Sequence, residues 1–207
     1  MNKISFALPK GRLAEDTIKL FIDKGITREG VVDFTSRKLI FDDEQSGISF
    51  LLIRNSDVPT YVWHGAADFG VVGKDILDET GVEAYELADL GFGGCRMSIA
   101  APNGRNLQYH HNIRIATKYP NITKRAFADK GIFVEIIKLY GSIEIAPLTG
   151  LSDCIVDLVD SGETLRKNGL SELEVIMHST ARLIANRNLL RAKHERTKEI
   201  LSALGLQ

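Results

Sequence analysis

Within its first 25 residues the chain completes a unit that recurs along nearly its whole length, and this unit narrows the fold more than any other feature. Residues 4–8 (ISFAL) form an apolar run of strand length, and Pro9-Lys10-Gly11-Arg12 form a polar turn. Leu13 to Lys24 then carries Leu13, Thr17, Leu20 and Phe21 on one helical side and is stopped by Gly25. Strand-like runs recur at 38–42, 48–54, 67–72, 113–117 and 133–139. Helical segments fall at 57–64, 74–79, 121–130 and 188–204, the last with an ordinary surface pair at Arg191 and Glu195. Alternation of this kind specifies an α/β architecture with mainly parallel sheets.

The alternation breaks once, at Gly91-Phe92-Gly93-Gly94, where three glycines in four positions suit a crossover between two lobes. With a return near 178–182, the expected lobes are residues 1–92 plus 180–207, and residues 93–179. Ligands of open α/β sheets sit at the carboxyl ends of strands. The loops at 9–12, 54–57, 73–75 and 161–165 occupy such ends and are expected to face the cleft. They hold Lys10, Gly11 and Arg12, then Arg54, then Gly73 and Lys74. Arg54 stands where an apolar strand meets a helix start, and Arg37 lies just before the strand that precedes it. The glycines near 70–73 match neither a Walker motif nor a complete dinucleotide fingerprint.

Charge sets limits on partners. The net charge is −1, which offers no broad basic field for nucleic acid and leaves phosphate binding to local sites. Cys95 and Cys154 are too few for a disulfide framework, and His110-His111 has no third ligand nearby, so no metal ligand is assigned. The N-terminus shows no apolar export segment and no run is long enough to span a bilayer, which fits a cytoplasmic chain without a membrane partner.

The richest stretch is Glu144 to Leu165, EIAPLTGLSDCIVDLVDSGETL. Asp153, Asp157 and Asp160 recur at i, i+4 and i+7, opposite Leu151, Ile155, Leu158 and Val159, a pattern that suits a helix with one acidic face. Ser161-Gly162-Glu163-Thr164 follows as a turn of small hydroxyl residues, and a second short helix can start at Thr164. Backbone N–H groups and hydroxyls at such a junction suit a phosphate, and acids beside it suit sugar hydroxyls. The same spacing suits a solvated helix face ended by a Ser-Gly stop. Spacing alone favours that plainer reading over the phosphate site.

The stretch resembles the signature of the ATP phosphoribosyltransferases, the first enzymes of histidine biosynthesis. Glu144, Gly150, Ser152, Ile155, Asp157, Leu158, Ser161, Gly162, Thr164 and Leu165 stand at its fixed positions, and Asp160 falls outside them. ALPKGRL, SRKLIF, the block DVPTYVWHGAADFGVVGKD, LGFGGCR and IATKYPN also look like this family. The resemblance is to its short form, which lacks a C-terminal regulatory domain and works with a histidyl-tRNA-synthetase-like regulatory subunit. It implies two α/β lobes like those of type II periplasmic binding proteins. The implied reaction transfers the phosphoribosyl group of 5-phosphoribosyl diphosphate to N1 of ATP, with Mg²⁺ carried by the diphosphate.

By that resemblance Asp153 and Asp157 face the ribose, and Ser161, Gly162, Glu163, Thr164 and Leu165 hold the 5-phosphate. Lys10, Gly11, Arg12, Gly73, Lys74, Arg96 and Glu144 are expected at ATP or pyrophosphate. Arg54 is expected to stabilise the leaving group, with Arg37 as a second cation supplied across a homodimer interface. Two rivals are a solute receptor of the same fold, which the missing export segment disfavours, and a phosphoribosyltransferase for a free base. The latter places two adjacent acids before its phosphate loop, whereas here the acids are four apart.

Overall fold

The computed structural model describes residues 3–105, 107–187, 189 and 194–206. The expected start of the last helix at Asn188, and the partner Arg191 in its surface pair, lie outside the described residues. The chain divides into two compact units, residues 1–93 with 180–207, and residues 94–179.

Unit 1 is built on β1 (Ile4–Pro9), β2 (Ile40–Asp43), β3 (Ile48–Ile53), β4 (Phe69–Gly73), β5 (Tyr85–Asp89) and β11 (Ala181–Ala185), in the sheet order β2-β3-β1-β4-β11-β5. Its helices are α1 (Arg12–Asp23), α2 (Val58–Trp63), α3 (Lys74–Thr80) and the C-terminal α6 (His194–Ala203). Strands with no solvated face read as unbroken apolar runs, which is why ISFALP and FGVVG carry almost no polar side chains. Their core is aromatic. Phe6 packs against Phe21 and Phe69, each at 4.9 Å between ring centroids, and all three are fully buried.

Unit 2 contains β6 (Cys95–Pro102), β7 (Ile113–Thr117), β8 (Val134–Lys138), β9 (Cys154–Val159) and β10 (Leu170–Ser179), in the order β10-β6-β9-β7-β8. Helices α4 (Pro120–Ala128) and α5 (Glu163–Lys167) complete it. Among the described residues, no helix in either unit is long and apolar enough to cross a membrane.

Two expectations need correction. The sheets are mixed rather than mainly parallel. β1 pairs in parallel with β3 and β4, and β7 with β8 and β9, but the other five pairings are antiparallel. One cause is local: a parallel neighbour needs a long connection, whereas β2 and β3 are joined by a tight turn. β10 and β11 are separated by Thr180 alone and are antiparallel to their sheet neighbours.

The second correction concerns the stretch with the acids. Residues 154–159 form strand β9, not a helix with an acidic face. The run CIVDLV has strand length and β-branched residues, and its pairing with β6 and β7 decides its conformation. Along a strand, positions four apart still share a face, so Asp153 and Asp157 keep a common side. Asp160, at an odd offset, does not.

Candidate functional site

In unit 1 the site begins as a matter of register. Pro9 lies opposite Ile53, and Lys10 donates its N–H to the Ile53 carbonyl at 2.9 Å, so Lys10 stands beside Arg54. On the other flank Ala7 pairs with Gly70, which sets Lys10 level with Gly73. β2 runs antiparallel to β3, and Leu52 donates to the Leu39 carbonyl at 2.8 Å just beyond the ladder, so the chain carrying Arg37 approaches this same edge. Lys10, Gly11, Arg12, Arg37, Arg54, Gly73 and Lys74 therefore gather at the carboxyl edge of β1, β3 and β4, where an α/β sheet takes its ligand.

Gly11 supplies the turn between β1 and α1 with φ of 102°, a conformation L side chains rarely adopt. Lys10, Arg37 and Arg54 are exposed, and among the described residues no carboxylate pairs with them. Lys74 differs. Its ammonium lies 2.9 Å from Asp78 and 3.1 Å from Glu86. Burial works against its charge, but these two acids outweigh it and raise the pKa. Its charge is already matched.

In unit 2 the corresponding edge is the exit of β7 and β9. Thr117 pairs with Val156, so Lys118 comes level with Asp157. The short 3₁₀ turn Ile143–Ile145 brings Glu144 close enough for its charge to act on Asp157. Burial pushes the Asp157 carboxyl up, the Leu158 N–H at 2.8 Å pulls it down, Glu144 adds to the rise and Lys118 opposes it. The net direction is upward.

Ser161 to Leu165 leaves β9 directly after this group. Gly162 holds φ of 73°, and Ser161 Oγ accepts the Glu163 N–H at 3.3 Å. Ser161, Glu163 and Thr164 are exposed, while Leu165 is buried and anchors the turn in the core. Arg96, on β6, lies against the same turn. Its guanidinium donates to the Asp160 carbonyl at 2.8 Å and forms a two-pronged pair with Glu172, both contacts at 2.7 Å. The Glu172 carboxyl is held below its ordinary range by that arginine.

One expected ribose residue is not brought to this place. Asp153 stands at the entrance of β9, four residues before Asp157, or about 13 Å at strand rise. Its carboxylate accepts the Arg114 backbone N–H at 3.0 Å and the Arg114 and Arg105 guanidiniums at 3.1 Å each. The Arg114 bond, first of all, holds its pKa below the usual carboxylate range. Its acceptors are spent on arginines distant in sequence, which tie the entrance of β9 to β7.

Sequence reasoning passed over Lys118, which only the β7–β9 register ties to Asp157, and Arg166, whose guanidinium donates to the Ser161 carbonyl at 3.0 Å. Arg166 reaches back five residues, a contact visible only once Gly162 turns the chain. Among the described residues no group of three or more His, Cys, Asp or Glu is placed to hold a metal ion.

Three comparisons bear on this arrangement. Residues 54–205 match the family model HisG, ATP phosphoribosyltransferase. A protein of Geobacter sulfurreducens named ATP phosphoribosyltransferase 2 is 53% identical over 205 residues, covering 97% of this chain and 96% of that one. The structure of an ATP phosphoribosyl transferase (HisG:HisZ) complex from Thermotoga maritima superposes with a TM-score of 0.82 at 35% identity, over 98% of this chain and 96% of that chain. The periplasmic aliphatic sulphonate binding protein SsuA from Escherichia coli shares the fold alone, with a TM-score of 0.62 at 12% identity over 99% of this chain and 68% of that chain. With the family model spanning most of its length and a close relative matched end to end, this chain belongs to the ATP phosphoribosyltransferase family.

Proposed function

We infer that this chain catalyses the first step of histidine biosynthesis, joining the phosphoribosyl group of 5-phosphoribosyl diphosphate to N1 of ATP and releasing pyrophosphate. The observation that carries the assignment of roles is the exit of β9. There a carboxylate raised by burial, Asp157, is followed at once by a hydroxyl-and-glycine turn. In this reading Asp157 accepts a ribose hydroxyl, and Ser161, Gly162 and Thr164 take the 5-phosphate. Glu163 and Leu165 shape the turn, Leu165 from inside the core.

Adenine N1 carries its own lone pair, so bond formation to C1 needs no strong general base. The costly event is departure of pyrophosphate, which gathers negative charge while the sugar becomes cation-like. Fixed cations lower that barrier, and one such donor is typically worth about 3 kcal/mol, roughly 10²-fold in rate. Arg54 and Lys10 fit the task because, among the described residues, their charges are not spent on carboxylates. Arg37 is a second such cation at the same sheet edge, and its action across a homodimer interface belongs to this proposal. Lys74 and Arg96 already have acidic partners and serve first to shape their loops. Mg²⁺ enters with the diphosphate as part of the substrate, and no side chain is assigned to it.

The Thermotoga maritima relative was solved in a HisG:HisZ complex. We extend this to a regulatory partner of the histidyl-tRNA-synthetase-like kind for this chain, working in the cytoplasm. Incubating the chain with ATP, Mg²⁺ and 5-phosphoribosyl diphosphate, with and without that partner, tests the reading. Growth of the absorbance of the N1 adduct is the expected result. No product under either condition overturns it.

A further inference from the structure

Asp160 and Ser161 offer their backbone carbonyls to two different arginines. Arg96, from β6, takes the Asp160 carbonyl at 2.8 Å, and Arg166, from α5, takes the Ser161 carbonyl at 3.0 Å. A trans peptide sets its C=O and N–H in opposite directions. Holding the Asp160 carbonyl therefore orients the Ser161 N–H, and holding the Ser161 carbonyl orients the Gly162 N–H. Neither N–H meets a backbone acceptor among the described residues. Both guanidiniums crowd the same face of the turn. A Cβ placed on Gly162 would meet Arg166 Nη1 at 3.3 Å and Arg96 Nη2 at 3.9 Å.

The two holds differ in stiffness. Arg96 is fixed by Glu172, which also accepts the Ser98 hydroxyl at 2.9 Å. Arg166 is exposed and forms no ion pair among the described residues, so the Ser161 carbonyl is its fixed partner.

We propose that Arg166, acting with Arg96, is a positioning residue for phosphate binding: it sets the direction of consecutive N–H groups in the 161–165 turn and does not itself touch the phosphate. Successive N–H groups aimed to one side form a concavity that suits an anion. Donors fixed in advance bind without a reorganisation cost. The proposal rests on the reading of this turn as the 5-phosphate site.

The test uses Arg166→Ala and Thr164→Val in parallel, with ribose 5-phosphate as the calorimetric probe on the chain and steady-state kinetics on the complex. Losing one hydrogen bond to a charged donor predicts about tenfold weaker ribose 5-phosphate binding in Arg166→Ala. KM for 5-phosphoribosyl diphosphate rises in the same ratio, KM for ATP stays unchanged, and the loss persists at high ionic strength. If Thr164→Val weakens the probe and Arg166→Ala does not, the turn remains the phosphate site and the positioning role fails. If neither variant weakens it, the phosphate reading falls and takes the positioning role with it. A loss in Arg166→Ala that fades as salt is raised, or that strikes ATP equally, assigns Arg166 to plain charge attraction or general scaffolding and overturns the proposal.

Discussion

Asp153 and Arg114 are joined in both directions: the Arg114 N–H and guanidinium donate to the Asp153 carboxylate, and the Asp153 N–H donates to the Arg114 carbonyl at 2.8 Å. This fastens the entrance of β9 to β7. Because the arginine lowers the Asp153 pKa, the stabilisation is present above the ordinary carboxylate range and is lost as pH falls through the lowered value. Asp153→Asn is therefore expected to lower stability by about 2–3 kcal/mol near neutral pH, with the deficit closing in acid. Denaturant unfolding across pH measures it. A large change in KM for 5-phosphoribosyl diphosphate with stability intact would return Asp153 to the ribose.

Asp157 carries the opposite sign. Burial raises its pKa, so the fold disfavours its ionised form. That penalty is absent in acid, grows as pH rises through the ordinary carboxylate value, and levels off above the raised one. Asp157→Asn is expected to raise the melting temperature near neutral pH, to converge with the parent protein in acid, and to lose most activity. A melting temperature that falls at neutral pH would show that the carboxylate stabilises the fold.

Arg54→Ala is expected to cut turnover about 10²- to 10³-fold while ATP affinity holds, because a leaving-group contact strengthens only in the transition state. Arg54→Lys should recover much of the rate if charge dominates. Equal losses in turnover and ATP binding would make Arg54 an ordinary binding residue.

Gly162→Ala places a side chain at φ of 73° and a methyl group 3.3 Å from Arg166 Nη1. The strain is about 1–2 kcal/mol, which predicts roughly a tenfold rise in KM for 5-phosphoribosyl diphosphate. KM for ATP should change little. Kinetics with each substrate varied in turn separates the two.

Much of this was legible because local signals agreed. Apolar runs of strand length, glycine stops and strand-end cations locate the elements and the carboxyl edge holding Lys10 and Arg54. The acids were harder. A spacing of four puts Asp153 and Asp157 on one side of a helix and equally on one side of a strand, so the pattern cannot choose between them. Only pairing with β6 and β7 does. The surroundings of Asp153 are hidden from the sequence for a related reason: its partners, Arg114 and Arg105, lie 39 and 48 residues away. The mixed sheets went unread because β10 and β11 reverse their pairing without a helix to announce it.

The place of β11 between β4 and β5 bears on how the chain is made. Among the described residues β5 has no other neighbour in its sheet, yet β11 is translated only after the whole of unit 2. At synthesis rates of about 5–20 residues per second, β5 waits roughly 5–20 s on the ribosome for its pairing strand. The contiguous unit, which carries Asp157 and the 161–165 turn, has all its strands available first. Unit 1 then closes last, and the unpaired edges of β4 and β5 are where a nascent chain of this design is most open to capture by chaperones or to misassembly.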